Sequence, residues 1–503
     1  MPMCAMMAHT LVCYAVVVVA GALRENCVYS LWVLLNMVNQ AADNGQRASL
    51  HGFWSSRLAF VLAVAGSAVG LGNIWKFPYV AGANGGGAFV LIYLLCVFGI
   101  GLPIMMSETM LGRRGRRNPA ASMALLGQEE GGTTLWGLIG VSGMLAGFLI
   151  LSFYSVIGGW IIAYIFKMAS GSFGNADATQ VRTTIEALTG NWQESTLWHS
   201  VFMLLTVAVV ARGVQRGLEF AVTLLMPLLV ILLLILVGFA AVEGDFAEGV
   251  RFLFAPDFSK VTATTYLLAM GQAFFSLSIG MGCVMAYGAY LPQTTSIPAT
   301  TMLVVVADTA VALLSGLVVF PVVFANGLDP SAGPELIFRA LPLSFGNMPA
   351  GALFGALFFV VVTLAALTSS ISLMEPAVAW SMETLGITRS RAAIVIGLIT
   401  WALGLLSVFS FNLLADFRFW QGTFMDNFDY LTSNIMLPLG GLAITLFCGW
   451  VMCRNTSSDE LNEGTGRVYA LWLFSTRYLA PVAVVLVFLN AVGLLDFVSA
   501  GVR

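Results

Sequence analysis

The amino-acid sequence predicts an all-α polytopic membrane protein. Of its 503 residues 59% are hydrophobic and only 9% charged, whereas a soluble globular domain carries about 25% charge. Eleven apolar stretches lie between Arg57 and Val502, each long enough to cross a hydrocarbon core about 30 Å thick. In lipid such stretches must be helices, because backbone groups find no water to bond. A soluble fold is excluded.

The spans are expected at residues 57–79, 88–111, 134–168, 196–212, 218–242, 262–290, 299–325, 351–385, 391–410, 428–453 and 469–499. Arginines follow the second span (Arg113, Arg114, Arg116, Arg117), the fourth (Arg212, Arg216), the eighth (Arg389, Arg391) and the tenth (Arg454, Arg467). This bias marks those loops as cytoplasmic and puts the C-terminus outside. The long connections 169–195, 243–261 and 326–350 are then external. The last holds Pro330, Pro334, Pro342 and Gly346, which suit a folded lid with a short helix.

Residues 1–50 differ from the rest. The apolar run Leu11–Leu23 is short and is broken by Arg24 and Glu25. It could be an upstream start that the cell does not use, a cleaved targeting segment or a twelfth span. The first is expected on the length of the run and the lack of a basic start. The transport domain is then 51–503.

Cys96, Cys283 and Cys448 fall inside spans and read as small packing residues. Cys448 and Cys453 lack a second ligand pair, and His9, His51 and His199 are isolated, so no zinc site is expected. No G-x-S-x-G string with partnering His and Asp suggests an intramembrane hydrolase.

Two spans are interrupted. The first reads A-G-S-A-V-G-L-G-N over Ala65–Asn73, and the sixth G-Q-A-F-F-S-L-S-I-G-M-G over Gly271–Gly282. Glycine weakens a helix, and backbone freed at mid-membrane depth is tolerated only where it lines a cavity. Close helix packing through small residues would explain one such segment. Two, five spans apart, point to the substrate site of an inverted-repeat transporter.

At these residues the chain resembles the bacterial amino-acid branch of the neurotransmitter:sodium symporter family. The likeness begins at W-S-S-R-L-A-F (Trp54–Phe60) and runs through G-S-A-V-G-L-G-N-I-W-K-F-P-Y (Gly66–Tyr79) and N-G-G-G-A-F (Asn84–Phe89). It continues in Gly271–Ser278, in L-T-S-S-I-S-L-M-E-P (Leu367–Pro376) and in D-Y-L-T-S-N (Asp429–Asn434). The resemblance implies an inverted five-plus-five helix repeat of the LeuT type with an eleventh helix. It also implies sodium-driven import of amino acids by alternating access, with no organic cofactor. A channel or a non-transporting amino-acid sensor on the same fold is the alternative.

A zwitterion held at mid-membrane needs partners for both charges. The resemblance assigns its carboxylate to amides near Gly70 and Gly72 and to the hydroxyl of Tyr154, and its ammonium to carbonyls near Ala68, Phe275 and Ser278. Ile150, Phe275, Met281, Ser369 and Leu373 would line the side-chain pocket. Its apolar character disfavours a charged substrate. Met281, flexible and flanked by glycines, points to large hydrophobic or aromatic amino acids.

Sodium calls for hard oxygen ligands. The resemblance implies one ion among Ala68, Asn73, Ser276 and Asp308, and a second among Gly66, Val69, Ala365, Thr368 and Ser369. Taken singly, Thr368 and Ser369 read as hydroxyls bonded back to their own helix. Asp308 stands where chloride-dependent relatives have asparagine, and its charge would replace chloride. Lys76 would close the outer path with Asp429, directly or through water, above Phe275. Glu383 matches the acid that pairs with a basic residue before the first span. The equivalent position here falls near His51, with Arg47 earlier.

Overall fold

A computed structural model describes residues 52–330, 336–461 and 466–494. The N-terminal extension, including Arg47 and His51, lies outside the described residues. The first span is two helices, α1 (Arg57–Ala68) and α2 (Gly72–Ala83), bent by 52°. Then come α3 (Gly87–Gly115), α4 (Pro119–Gly131), α5 (Thr134–Ala169), α6 (Ala178–Gly190), α7 (Trp192–Val210), α8 (Val214–Glu243) and α9 (Phe246–Phe254). The sixth span is α10 (Ala263–Ser276) and α11 (Cys283–Gly288), separated by six residues. The chain continues through α12 (Ile297–Ala325), α13 (Ala340–Gly346), α14 (Gly351–Leu385), α15 (Arg389–Phe409), α16 (Phe424–Val451), α17 (Arg454–Leu461) and α18 (Arg467–Ala491).

Among the described residues eight helices are long and apolar enough to cross a membrane, and α1 with α2 makes a ninth span. The other two of the eleven expected spans are α7, which opens on Gln193 and Glu194 and carries His199, and the broken pair α10 and α11. Polar residues at the start of α7 dilute its apolar run. The short helix expected in the lid is α13. Helices α4, α6, α9 and α17 were not anticipated, because their mixed polar and apolar sequences do not stand out by hydropathy.

Helices α5 and α14 pack along each other at the centre, with α1 against α14 and α12. The periphery exposes apolar side chains, as a lipid-facing surface does: Phe220, Leu224 and Ile231 on α8, Leu398 on α15, Leu471 and Val482 on α18.

Candidate functional site

The α1 helix ends because Val69 turns extended, with φ −69° and ψ 100°. The amides that follow lack helical carbonyls, so side chains meet them. Gly70 N–H donates to Asn73 Oδ1 at 3.2 Å, and Leu71 N–H to the Tyr154 hydroxyl at 3.4 Å. Glycine at position 70 lets the two side chains approach, since a Cβ would lie 2.5 Å from Ser369 Oγ and 3.2 Å from the Tyr154 hydroxyl. In the sixth span Ser278, Gly280 and Gly282 all adopt positive φ (53°, 84° and 73°), a region that favours glycine. The two breaks are tied together: Gln272 Nε2 donates to Gly72 O at 2.7 Å and Ser278 Oγ to Ser67 O at 2.9 Å.

Between the breaks lies a cavity of about 30 Å³, lined by Ser67, Ala68, Gly70, Leu71, Gly72, Ile150, Tyr154, Phe275, Ser278, Met281, Ser369 and Leu373. All ten residues expected at the substrate site stand around it, joined by Ser67 and Leu71, which were not anticipated. It has room for one or two water molecules, so an amino acid would have to widen it. Phe275 is the natural moving wall. Its ring covers Gly72, 2.9 Å from where a Cβ would stand, and the Lys76 ammonium sits 4.3 Å from the ring centroid.

Beside the cavity is a buried polar knot. Asn73 Nδ2 donates to Asp308 Oδ1 at 2.8 Å and approaches Ser276 Oγ at 3.2 Å. Ser276 Oγ donates to the other carboxylate oxygen of Asp308 and meets the Tyr93 hydroxyl at 3.1 Å. Ser315 Oγ donates to Asn73 O at 2.7 Å. Asn73, Ser276 and Asp308 are fully buried. Ala68 stands on the cavity wall and has no polar side chain to join them.

A second cluster lies between α1 and α14. Ser369 Oγ stands 3.3 to 3.4 Å from the carbonyls of Gly66, Ser67 and Val69. Thr368 instead bonds its own helix, at the carbonyls of Leu364 (3.2 Å) and Ala365 (3.0 Å). Its Cβ is nonetheless 3.3 Å from where a Cβ on Gly66 would stand. The two hydroxyls, alike by sequence, thus have different partners.

The gates depart from the simplest expectation. No ion pair joins Lys76 to Asp429 among the described residues: the lysine sits over Phe275, and Asp429 Oδ1 accepts from Ser433 Oγ at 2.8 Å. A direct contact is absent in this conformation, leaving the water-bridged form of that expectation. Glu383 accepts two hydrogen bonds from Asn118, from the backbone N–H at 2.8 Å and from Nδ2 at 2.7 Å. The chain near α1 is nevertheless seated on the end of the sixth span, where the Trp54 indole donates to Tyr287 O at 3.1 Å and Trp54 N–H to Tyr290 O at 3.2 Å.

Two buried acids escaped the sequence reading. Glu108, on α3, accepts from Gly280 N–H at 2.6 Å and so anchors the break of the sixth span. Glu375, on α14, pairs with Arg389 and accepts from the Tyr290 hydroxyl at 2.8 Å, while Arg389 Nε donates to Val210 O at 2.9 Å. The signal was available, because an acid inside a membrane span is costly whichever span it occupies.

The comparisons agree with this geometry. The profile of the Sodium:neurotransmitter symporter family matches residues 51–184 and 169–498. The uncharacterized sodium-dependent transporter YhdH of Bacillus subtilis is 40% identical, over 88% of this chain and 98% of its own. An uncharacterized sodium-dependent transporter of Haemophilus influenzae is 31% identical, over 89% of this chain and 99% of its own. The crystal structure of MhsT in complex with L-phenylalanine superposes with a TM-score of 0.80 at 41% identity, covering 88% of this chain and 99% of that one. The fold is therefore the inverted five-plus-five repeat with an eleventh helix. The chain belongs to the sodium:neurotransmitter symporter family, and it is a multi-pass sodium-dependent membrane transporter, not an enzyme.

Proposed function

We propose that the chain imports amino acids with sodium, and that its substrates are large hydrophobic or aromatic ones. The observation that carries this reading is the meeting, in one cavity, of the Tyr154 hydroxyl and the break amides with the apolar walls Ile150, Phe275, Met281 and Leu373. A carboxylate placed at Tyr154 and Gly70 would leave its side chain facing those walls. The co-crystallised L-phenylalanine of MhsT supports the same class of ligand.

Two sodium ions accompany each substrate in this proposal. The first would take oxygens of Ala68, Asn73, Ser276 and Asp308, with the substrate carboxylate completing its shell. The second would take the carbonyls of Gly66, Val69 and Ala365 with the hydroxyls of Thr368 and Ser369. Asp308 brings a fixed negative charge to offset the cations, so chloride is not needed. On sodium and substrate binding, Phe275 and Lys76 would swing aside and then close over the site, with Asp429 completing the outer gate. Release on the other side requires Trp54 to leave Tyr287 and Tyr290, and Glu383 to change partners. Residues 51–503 form the transport domain, set in the inner (plasma) membrane with the C-terminus outside.

The test is uptake into proteoliposomes. Phenylalanine, tryptophan and leucine should accumulate above equilibrium under an inward sodium gradient, more strongly than glycine or lysine. Failure of all twenty amino acids to bind in sodium would overturn the reading.

A further inference from the structure

We propose that Arg477 and Trp450 form a binding site for the phosphate of an anionic glycerophospholipid, on the lipid-facing surface where α16 and α18 cross. Arg477 is ten residues into α18, one of the membrane-crossing helices. Arginine within a span is costly and normally finds a counter-charge. Arg113 pairs with Glu460 and Arg389 with Glu375, while buried Arg116 donates to the carbonyls of Ala289 and Leu291. Among the described residues no ion pair includes Arg477, and its buried Nε has no hydrogen-bond partner.

What it has instead is an aromatic platform. The guanidinium carbon lies 4.6 Å from the Trp450 ring centroid. The platform is itself held in place, since the Trp450 indole N–H donates to Arg477 O at 3.1 Å and its ring meets Tyr478 edge-on at 5.8 Å and 84°. Gly449 permits the close crossing, because a Cβ there would lie 3.0 Å from Arg477 Cα. Stacking engages the face of the guanidinium and leaves its terminal in-plane NH2 groups for an acceptor. That planar fork suits a phosphate.

The surroundings select a lipid over a free anion. Leu471, Phe474, Tyr478 and Val482 are exposed on the same helix and offer an apolar surface for acyl chains. Trp450 is the penultimate residue of α16, so the pair lies near the end of that helix, within snorkelling reach of the aromatic belt and the lipid headgroups. Arg454 and Arg467 flank the loop at this end, the cytoplasmic end by the positive-inside rule, where basic pockets between helices hold anionic headgroups.

The test uses full-length protein in mild detergent, titrated with phosphatidylglycerol, phosphatidylcholine or inorganic phosphate, with bound lipid counted by native mass spectrometry and unfolding followed thermally. Wild type should hold one phosphatidylglycerol about fivefold or more tightly than Arg477→Gln, and the thermal shift on adding that lipid should shrink in the variant. Arg477→Lys should fall between, keeping charge without the planar stack. Equal retention by wild type and Arg477→Gln would overturn the proposal. So would a thermal shift reproduced by inorganic phosphate, or equal binding of phosphatidylcholine. Should Arg477→Gln not fold, Trp450→Leu removes the platform alone, and unchanged phosphatidylglycerol binding in it would be equally fatal.

Discussion

Two oxygen clusters flank the break in the first span, and they differ in charge. One gathers a carboxylate, an amide and hydroxyls: Asp308, Asn73, Ser276 and Tyr93, locked in mutual hydrogen bonds. The other is neutral, made of the carbonyls of Gly66, Ser67 and Val69 facing Ser369, with Thr368 bonded to its own helix. A cation in the first is attracted by a full charge among buried side chains. A cation in the second is held by dipoles that must be aimed correctly. The first cluster should therefore be sensitive to charge, and the second to geometry.

The comparison can be broken at Asp308. Replacing it by Asn removes the only acid of the first cluster, and loss of one member of a buried charge set costs about 3 to 5 kcal/mol. Sodium-driven uptake in gluconate should fall by about a hundredfold or more and recover in part when chloride is supplied. Wild-type uptake should be the same in chloride and gluconate. Strong chloride dependence of the wild type would remove Asp308 from its assigned role.

Tyr154→Phe should come next. It removes one hydrogen bond to a charged carboxylate, about 1.5 to 3 kcal/mol, and so about ten- to a hundredfold in substrate affinity. Binding measured in saturating sodium would show this, and an unaltered affinity would take Tyr154 out of the site.

Thr368→Ala sharpens the contrast between the clusters. The hydroxyl now bonds Leu364 and Ala365, and must swing out to serve a cation. The neutral ligand it supplies is worth about 1 kcal/mol, so half-maximal activation should need about fivefold more sodium, with chloride indifference retained. Asn73→Ala should raise the sodium requirement too. If neither variant alters the sodium activation curve, both clusters lose their assignment.

Lys76→Arg is expected to do least. A planar fork can meet Asp429 more readily than an ammonium parked over Phe275, but Asp429 is exposed, and a pair open to water on one side contributes no more than about 1 kcal/mol. The apparent affinity for substrate should rise by no more than about fivefold, as a direct uptake titration would show.

Much of this architecture was legible in the chain, because a bilayer imposes a length and an apolar composition on whatever crosses it. The limits of α14, Gly351–Leu385, coincide with the expected 351–385. Helix α7 was recognisable although its polar opening weakens the signal. The glycine-rich interruptions marked both breaks, since glycine is the residue that lets backbone leave a helix. The rest needed partners. Glu108 and Glu375 stood in apolar runs like Asp308, yet nothing in their local sequence reveals that one anchors Gly280 and the other Arg389.

By itself the sequence determined that the chain crosses a membrane as helices, where two of those helices break, and which chemistry-bearing residues line up with a family pattern. Such features depend on composition and local spacing, which hydrophobicity and glycine's freedom act upon directly. Tertiary structure alone decided the pairings across distance. It set Ser369 toward the carbonyls of the first span while Thr368 turned back, put Lys76 over Phe275 instead of against Asp429, gave Asn118 to Glu383, and contracted the cavity to about 30 Å³. These outcomes depend on which of several near-equal hydrogen bonds and packing contacts prevail once helices distant in sequence meet, and a linear spacing carries no record of that competition.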